Sequence, residues 1–88
     1  MPTIVREDGF SIRVYPPPRE HPPPHVHVCK AGTEVVIDLG SAGALPALRE
    51  ERGMARSDVP RAIQLVWRHH ELLTAAWENM HGKTRTER

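Results

Sequence analysis

Disulfide stabilisation is excluded at the outset, because the chain of 88 residues has one cysteine, Cys29, and nothing for it to pair with internally. Aromatic residues are scarce: Phe10, Tyr15, Trp67 and Trp77 are too few and too scattered to make a base-stacking platform. Neither sign of charge dominates, since 12 Lys plus Arg against 11 Asp plus Glu leave a formal charge of +1, so no field argues for nucleic acid. No apolar run approaches the ~20 residues needed to cross a bilayer, which points to a soluble protein without a membrane role. The start Met1-Pro2-Thr3-Ile4-Val5-Arg6 lacks a basic stretch followed by an apolar one, so the expected compartment is the cytoplasm. One domain is expected over residues 1–82, near the lower end of what one hydrophobic core can stabilise, with Lys83 to Arg88 as a charged flexible tail.

What the chain has in excess is proline. Of its 9 prolines, Pro16, Pro17, Pro18, Pro22, Pro23 and Pro24 fall close together. The second triplet sits inside Glu20-His21-Pro22-Pro23-Pro24-His25-Val26-His27-Val28-Cys29, which also holds three of the 6 histidines. Proline cannot donate to a sheet ladder, so Pro16-Pro17-Pro18 ends a strand, while Pro22-Pro23-Pro24 should adopt polyproline II, whose stiffness suits a binding loop as well as a plain strand stopper.

The remaining periodicities predict an α+β domain. Ile4 to Arg6 and Phe10 to Tyr15 flank Glu7-Asp8-Gly9, and Asp-Gly is a hairpin turn signal. His25 to Cys29 alternates, with Val26 and Val28 on one face and His25, His27 and Cys29 on the other. A Lys30-Ala31-Gly32 turn leads to Thr33 to Leu39, where Glu34, Val36 and Asp38 should face outward. Leu45 to Arg52 reads as a short helix closed by Gly53. From Asp58 to Met80, Val59, Ile63, Val66, His70, Leu73, Trp77 and Met80 recur at spacings of four and three, the signature of a long amphipathic helix. Two β-hairpins forming a small antiparallel sheet, a short helix, and that long helix packed on one face make the expected architecture.

The run His21-Pro22-Pro23-Pro24-His25-Val26-His27-Val28, together with the opening Met1-Pro2-Thr3-Ile4, the Asp-Gly hairpin and the helix running through Leu72-Leu73 to Trp77 and Gly82, resembles one small bacterial family, the domain of unknown function 4160. In Arg68-His69-His70-Glu71, His69 matches the family's usual histidine. The chain departs from the family in Pro16-Pro17-Pro18, in Cys29, and in the glycine-rich residues from Gly40 to Ala44. The resemblance implies membership of a small two-gene module in the manner of toxin and antitoxin, with a small cognate protein or a second copy as partner.

Several functions fit the histidine stretch. As a binding surface, His21, Pro22, Pro23, Pro24, His25 and His27 would meet a protein partner. As a metal site, His25 and His27 leave one strand face with Cα atoms ~6.6 Å apart and could share a divalent transition metal, Glu34, Asp38 or His69 completing the set. Cys29 is ~13 Å from His25 in a regular strand, and His21 joins only if the proline segment turns sharply. As a metal-free hydrolase or ribonuclease, His25, His27 and His69 would be the catalytic residues, and Arg13, Arg19 or Lys30 would stabilise charge. The plain alternative makes the three histidines polar residues on the wet face of an edge strand. Helix–Gly53–helix would be the basis of a DNA-binding regulator, although its second helix is too long and its first turn too acidic for a groove. His70 on the apolar stripe is expected to be a hydrogen-bonded core residue, and Cys29 a small half-buried one.

Overall fold

The computed structural model describes residues 3–17, 22–40 and 45–82. His21 and the tail 83–88 lie outside the described residues, as do Arg19 and most of the glycine-rich segment. Five strands, β1 (Thr3–Glu7), β2 (Phe10–Arg13), β3 (His25–Lys30), β4 (Thr33–Asp38) and β5 (Ala47–Arg52), form one antiparallel sheet in chain order. Two helices follow, α1 (Val59–Arg68) and α2 (His70–His81). The α+β architecture is the expected one. Among the described residues, no helix is long and apolar enough to cross a membrane.

Both hairpin turns place two consecutive residues at positive φ, Asp8 and Gly9 in the first and Ala31 and Gly32 in the second. This is the backbone that matches the right-handed twist of the flanking strands. Asp and Gly tolerate it, whereas Ala31, at φ 49°, carries a Cβ against the preferred handedness.

One side of the sheet is the core. Ile12, Val14, Val26, Val28, Val35, Ile37 and Leu39 pack against Ala62, Leu65, Val66, Leu73 and Trp77 from the helices. The apolar stripe anticipated over 58–80 therefore does face the sheet, but the segment is interrupted at His69 (φ −106°, ψ 23°). The amide of His69 still reaches Leu65 O (3.2 Å), and Leu73 N reaches His69 O (2.9 Å), so α2 continues the course of α1.

The short helix expected at Leu45 to Arg52 is instead the edge strand β5. Leu, Ala, Arg and Glu favour a helix locally, but the stretch between Pro46 and Gly53 is too short to be stable as one. All of its side chains are exposed, so a helix there would bury nothing, while β4 offers a free edge to pair with. The helix–turn–helix premise falls with this change, because a strand now precedes Gly53. The ladder pairs Val36 with Glu50 and Ile37 with Leu48, which leaves Arg49 as the extra residue of a bulge.

The turn chemistry can be checked directly. Ala31→Asn, which places the residue best suited to left-handed backbone before Gly32, should raise the free energy of unfolding by about 0.5–1 kcal/mol in urea titration. No gain would mean that Ala31 bears no strain.

Candidate functional site

Strand β3 is central rather than an edge, and its histidines are not on a wet face. His25 is 5% exposed and His27 9%, and Val36, expected to face outward beside Glu34 and Asp38, is 3% exposed. Burial of imidazoles demands hydrogen-bond partners, and the register supplies them. Cys29 lies opposite Glu34, His27 opposite Val36, and His25 opposite Asp38. His27 donates from Nδ1 to the Glu34 carboxylate, which also faces Arg52 at 3.5 Å. On the other flank His27 stands opposite Arg13. The Arg13 guanidinium has its pKa raised first by a hydrogen bond with Tyr15, then by its nearness to Cys29, with Tyr15 and Glu34 adding their charge. Arg13, His27, Glu34 and Arg52 thus form a polar row across four strands, on the sheet face away from the helices.

His25 is spent differently. Its Nδ1–H donates to the carbonyl of Pro23 (2.9 Å), and the same carbonyl accepts from Arg49 (3.4 Å), which also pairs with Asp38. The bulge in β5 aims Arg49 at both. The Pro22–Pro23 peptide is cis, Pro22 and Pro23 are exposed, and Pro24 turns its carbonyl to the Leu39 amide (3.0 Å).

Rings link this face to the helix layer. Tyr15 meets His27 edge-on with centroids 4.9 Å apart, His27 meets His25 at 5.6 Å, His25 meets Trp77 at 5.2 Å, and Trp77 stacks on His81 at 3.7 Å. His81 then donates to Tyr15 O (2.7 Å). The stripe spacing puts Trp77 toward the sheet, but nothing in the local pattern of Trp77 or His81 places them beside His25.

The structure keeps His69 away from the pair. Its Nε2 donates to Glu7 on β1 (3.0 Å), where Arg68 also pairs, two strands from β3 and on the helix side. Its neighbour His70 donates to Leu39 O (2.7 Å), the hydrogen-bonded histidine expected there. Among the described residues no group of three or more His, Cys, Asp or Glu is placed to hold a metal ion. Burial raises the Cys29 thiol pKa, Arg13 partly opposing it, which disfavours the thiolate a nucleophile needs.

Residues 9–78 match the family model described as a domain of unknown function (DUF4160), and the chain belongs to that family. No curated protein and no solved structure matches it.

The cluster at Glu7 has a definite pH signature. The hydrogen bond from His69 is the largest cause holding the Glu7 carboxyl below its ordinary 4.5, with Arg68 adding to it and burial opposing. A carboxyl lowered by folding stabilises the fold above its unfolded pKa and loses that contribution as pH falls through its folded value. Glu7→Gln should therefore lower the Tm at neutral pH, and the gap to the unaltered protein should close as pH is taken below 4.5. A gap that stays constant down to acid unfolding would contradict the assignment.

Proposed function

We propose that the protein is a cytoplasmic partner-binding component of a bacterial toxin–antitoxin-like two-gene module, and that the Pro22–Pro23 turn is its docking surface. The observation that carries this reading is the double anchoring of the Pro23 carbonyl by His25 from β3 and Arg49 from β5, while the two proline rings face solvent. A surface whose backbone is already held loses little conformational entropy when a partner covers it. Exposed proline rings give apolar contact without an amide that must be satisfied. The histidine-proline run then acts through its prolines, and His25 is a positioning residue behind them. The module itself rests on the family's likeness to paired small proteins, so the partner is a small cognate protein, with a second copy as the other candidate.

A second reading has its own observation. An imidazole oriented by a carboxylate, His27 by Glu34, beside a guanidinium, Arg13, is an arrangement used for general acid–base work on an anionic substrate such as a phosphodiester. In that reading His27 is the acting residue, Glu34 orients it, and His25 and His69 do not take part.

Co-expression with the product of the adjacent gene, followed by titration calorimetry of the purified proteins, separates the two. Docking at the turn predicts that His25→Ala and Pro23→Ala each weaken the complex by about tenfold or more, on the order of 1.4 kcal/mol, with chelators having no effect. A complex indifferent to both substitutions would sink the proline-turn reading.

A further inference from the structure

Strand β2 ends, and β3 and β5 begin, at one end of the sheet, and each brings exposed apolar residues there. The register shows it: Arg13 stands opposite His27, and His25 stands opposite Asp38, which in turn pairs with Ala47. Rings hold the chain after β2 against the start of β3. Tyr15 lies edge-on to His27, and His81, stacked on the Trp77 that meets His25, donates to Tyr15 O (2.7 Å). Pro16 and Pro17 follow Tyr15, Pro22 and Pro23 precede His25, and all four are exposed. Leu45, two residues before Ala47, is 73% exposed. From the same strand Arg49 reaches back to Pro23 O (3.4 Å). Four prolines and one leucine thus emerge together, whereas scattered apolar residues would need no explanation.

We infer that this patch receives tryptophan or tyrosine side chains of the small cognate protein. The inference rests on the partner-binding reading and names the chemistry of the partner. Hydrogen-bonding capacity decides the occupant. A proline offers a carbonyl and no N–H, so these residues can accept and cannot donate. The Pro23 carbonyl is taken by His25 and Arg49, but among the described residues no backbone amide donates to Pro16, Pro17 or Pro22. An aliphatic surface laid on them would strip water from those acceptors and return no hydrogen bond. A cation would bring donors, yet the charge here is already balanced, Arg49 pairing with Asp38. An indole or a phenol supplies a flat apolar face with one neutral donor on its rim, the complement of a proline ring beside its carbonyl. Aromatic-lined grooves meet proline-rich segments on the same physical ground. The rings must come from another molecule, because Phe10, Tyr15 and Trp77 are buried in this chain. Trp67, 44% exposed, is the one ring that a second copy could offer.

The test begins with carbon-13 NMR of the labelled protein, read at the proline ring signals, during titration with N-acetyltryptophanamide and with N-acetylleucinamide. The expected result is a saturable shift of the four exposed prolines with the tryptophan amide, and at least tenfold weaker binding of the leucine amide. The double change Pro17→Ser with Leu45→Ser should weaken the tryptophan amide at least tenfold, while Leu72→Ser, exposed on the helices, changes nothing. Both sites are exposed, so circular dichroism should show an unchanged fold. Equal response to the two amides overturns the inference, as does a tryptophan response that leaves the proline signals unmoved or survives the double change. In the cognate complex, replacing the partner's Trp and Tyr residues one at a time by Leu should weaken binding at least tenfold at one position or more, and no loss at any of them overturns the aromatic occupant. Self-association abolished by Trp67→Leu also overturns it, because the occupant is then a second copy. Loss of the cognate complex with Pro23→Ala but not with the Pro17→Ser, Leu45→Ser pair overturns the patch and leaves the docking reading standing. Tryptophan amide that binds as expected, with no cognate complex formed, overturns the partner reading instead.

Discussion

Two imidazoles buried in the middle strand are the constraint from which the surroundings of the site follow. An unpaired buried polar group costs about 1–3 kcal/mol, so His25 and His27 had to be placed where each finds an acceptor. His27 takes Glu34 from the next strand, and that choice fixes which way the acidic side chain points. His25 takes the Pro23 carbonyl, and that choice fixes the turn before β3. Arg49 reaches the same carbonyl only because β5 carries an extra residue at that point, so the bulge and the turn are parts of one arrangement.

The other described histidines do comparable work for the helices. Apolar packing is non-directional and would allow α1 and α2 to slide over Val26, Val28, Val35 and Ile37. Hydrogen bonds from His69 to Glu7, from His70 to Leu39 and from His81 to Tyr15 give the helices three directional ties, to β1, to the end of β4 and to the segment after β2. With the helices tied at these three points, the six residues of β5 stay exposed.

Local signals in the sequence led to the hairpins, the turn residues and the inward stripe of the last helical segment, because each is set by neighbours within a few positions. The composition of Leu45 to Arg52 favours a helix, and only the free edge of β4 reverses that preference. The burial of His25 and His27 is not legible locally, because two-residue alternation says which side chains share a face without saying whether the face is covered. A hint was present in Val35-Val36-Ile37, an unbroken apolar run of the kind found in strands buried on both sides. The partners of His69 and His70 are beyond any local pattern, since they lie 62 and 31 residues away in the chain.

Leu39 is where these strands of reasoning meet. Its amide is held by Pro24 and its carbonyl by His70, so one residue ties the proline turn to the start of α2. Each hydrogen bond of this kind contributes only about 1 kcal/mol net, whereas a buried N–H or C=O left without one costs about 1–3 kcal/mol. A partner gripping the proline turn would stabilise a frame that already exists, and little of its binding energy would go to ordering the chain. That economy favours a binding role for the proline turn, with the polar row of Arg13, His27, Glu34 and Arg52 beginning one ring contact away, where His27 meets His25.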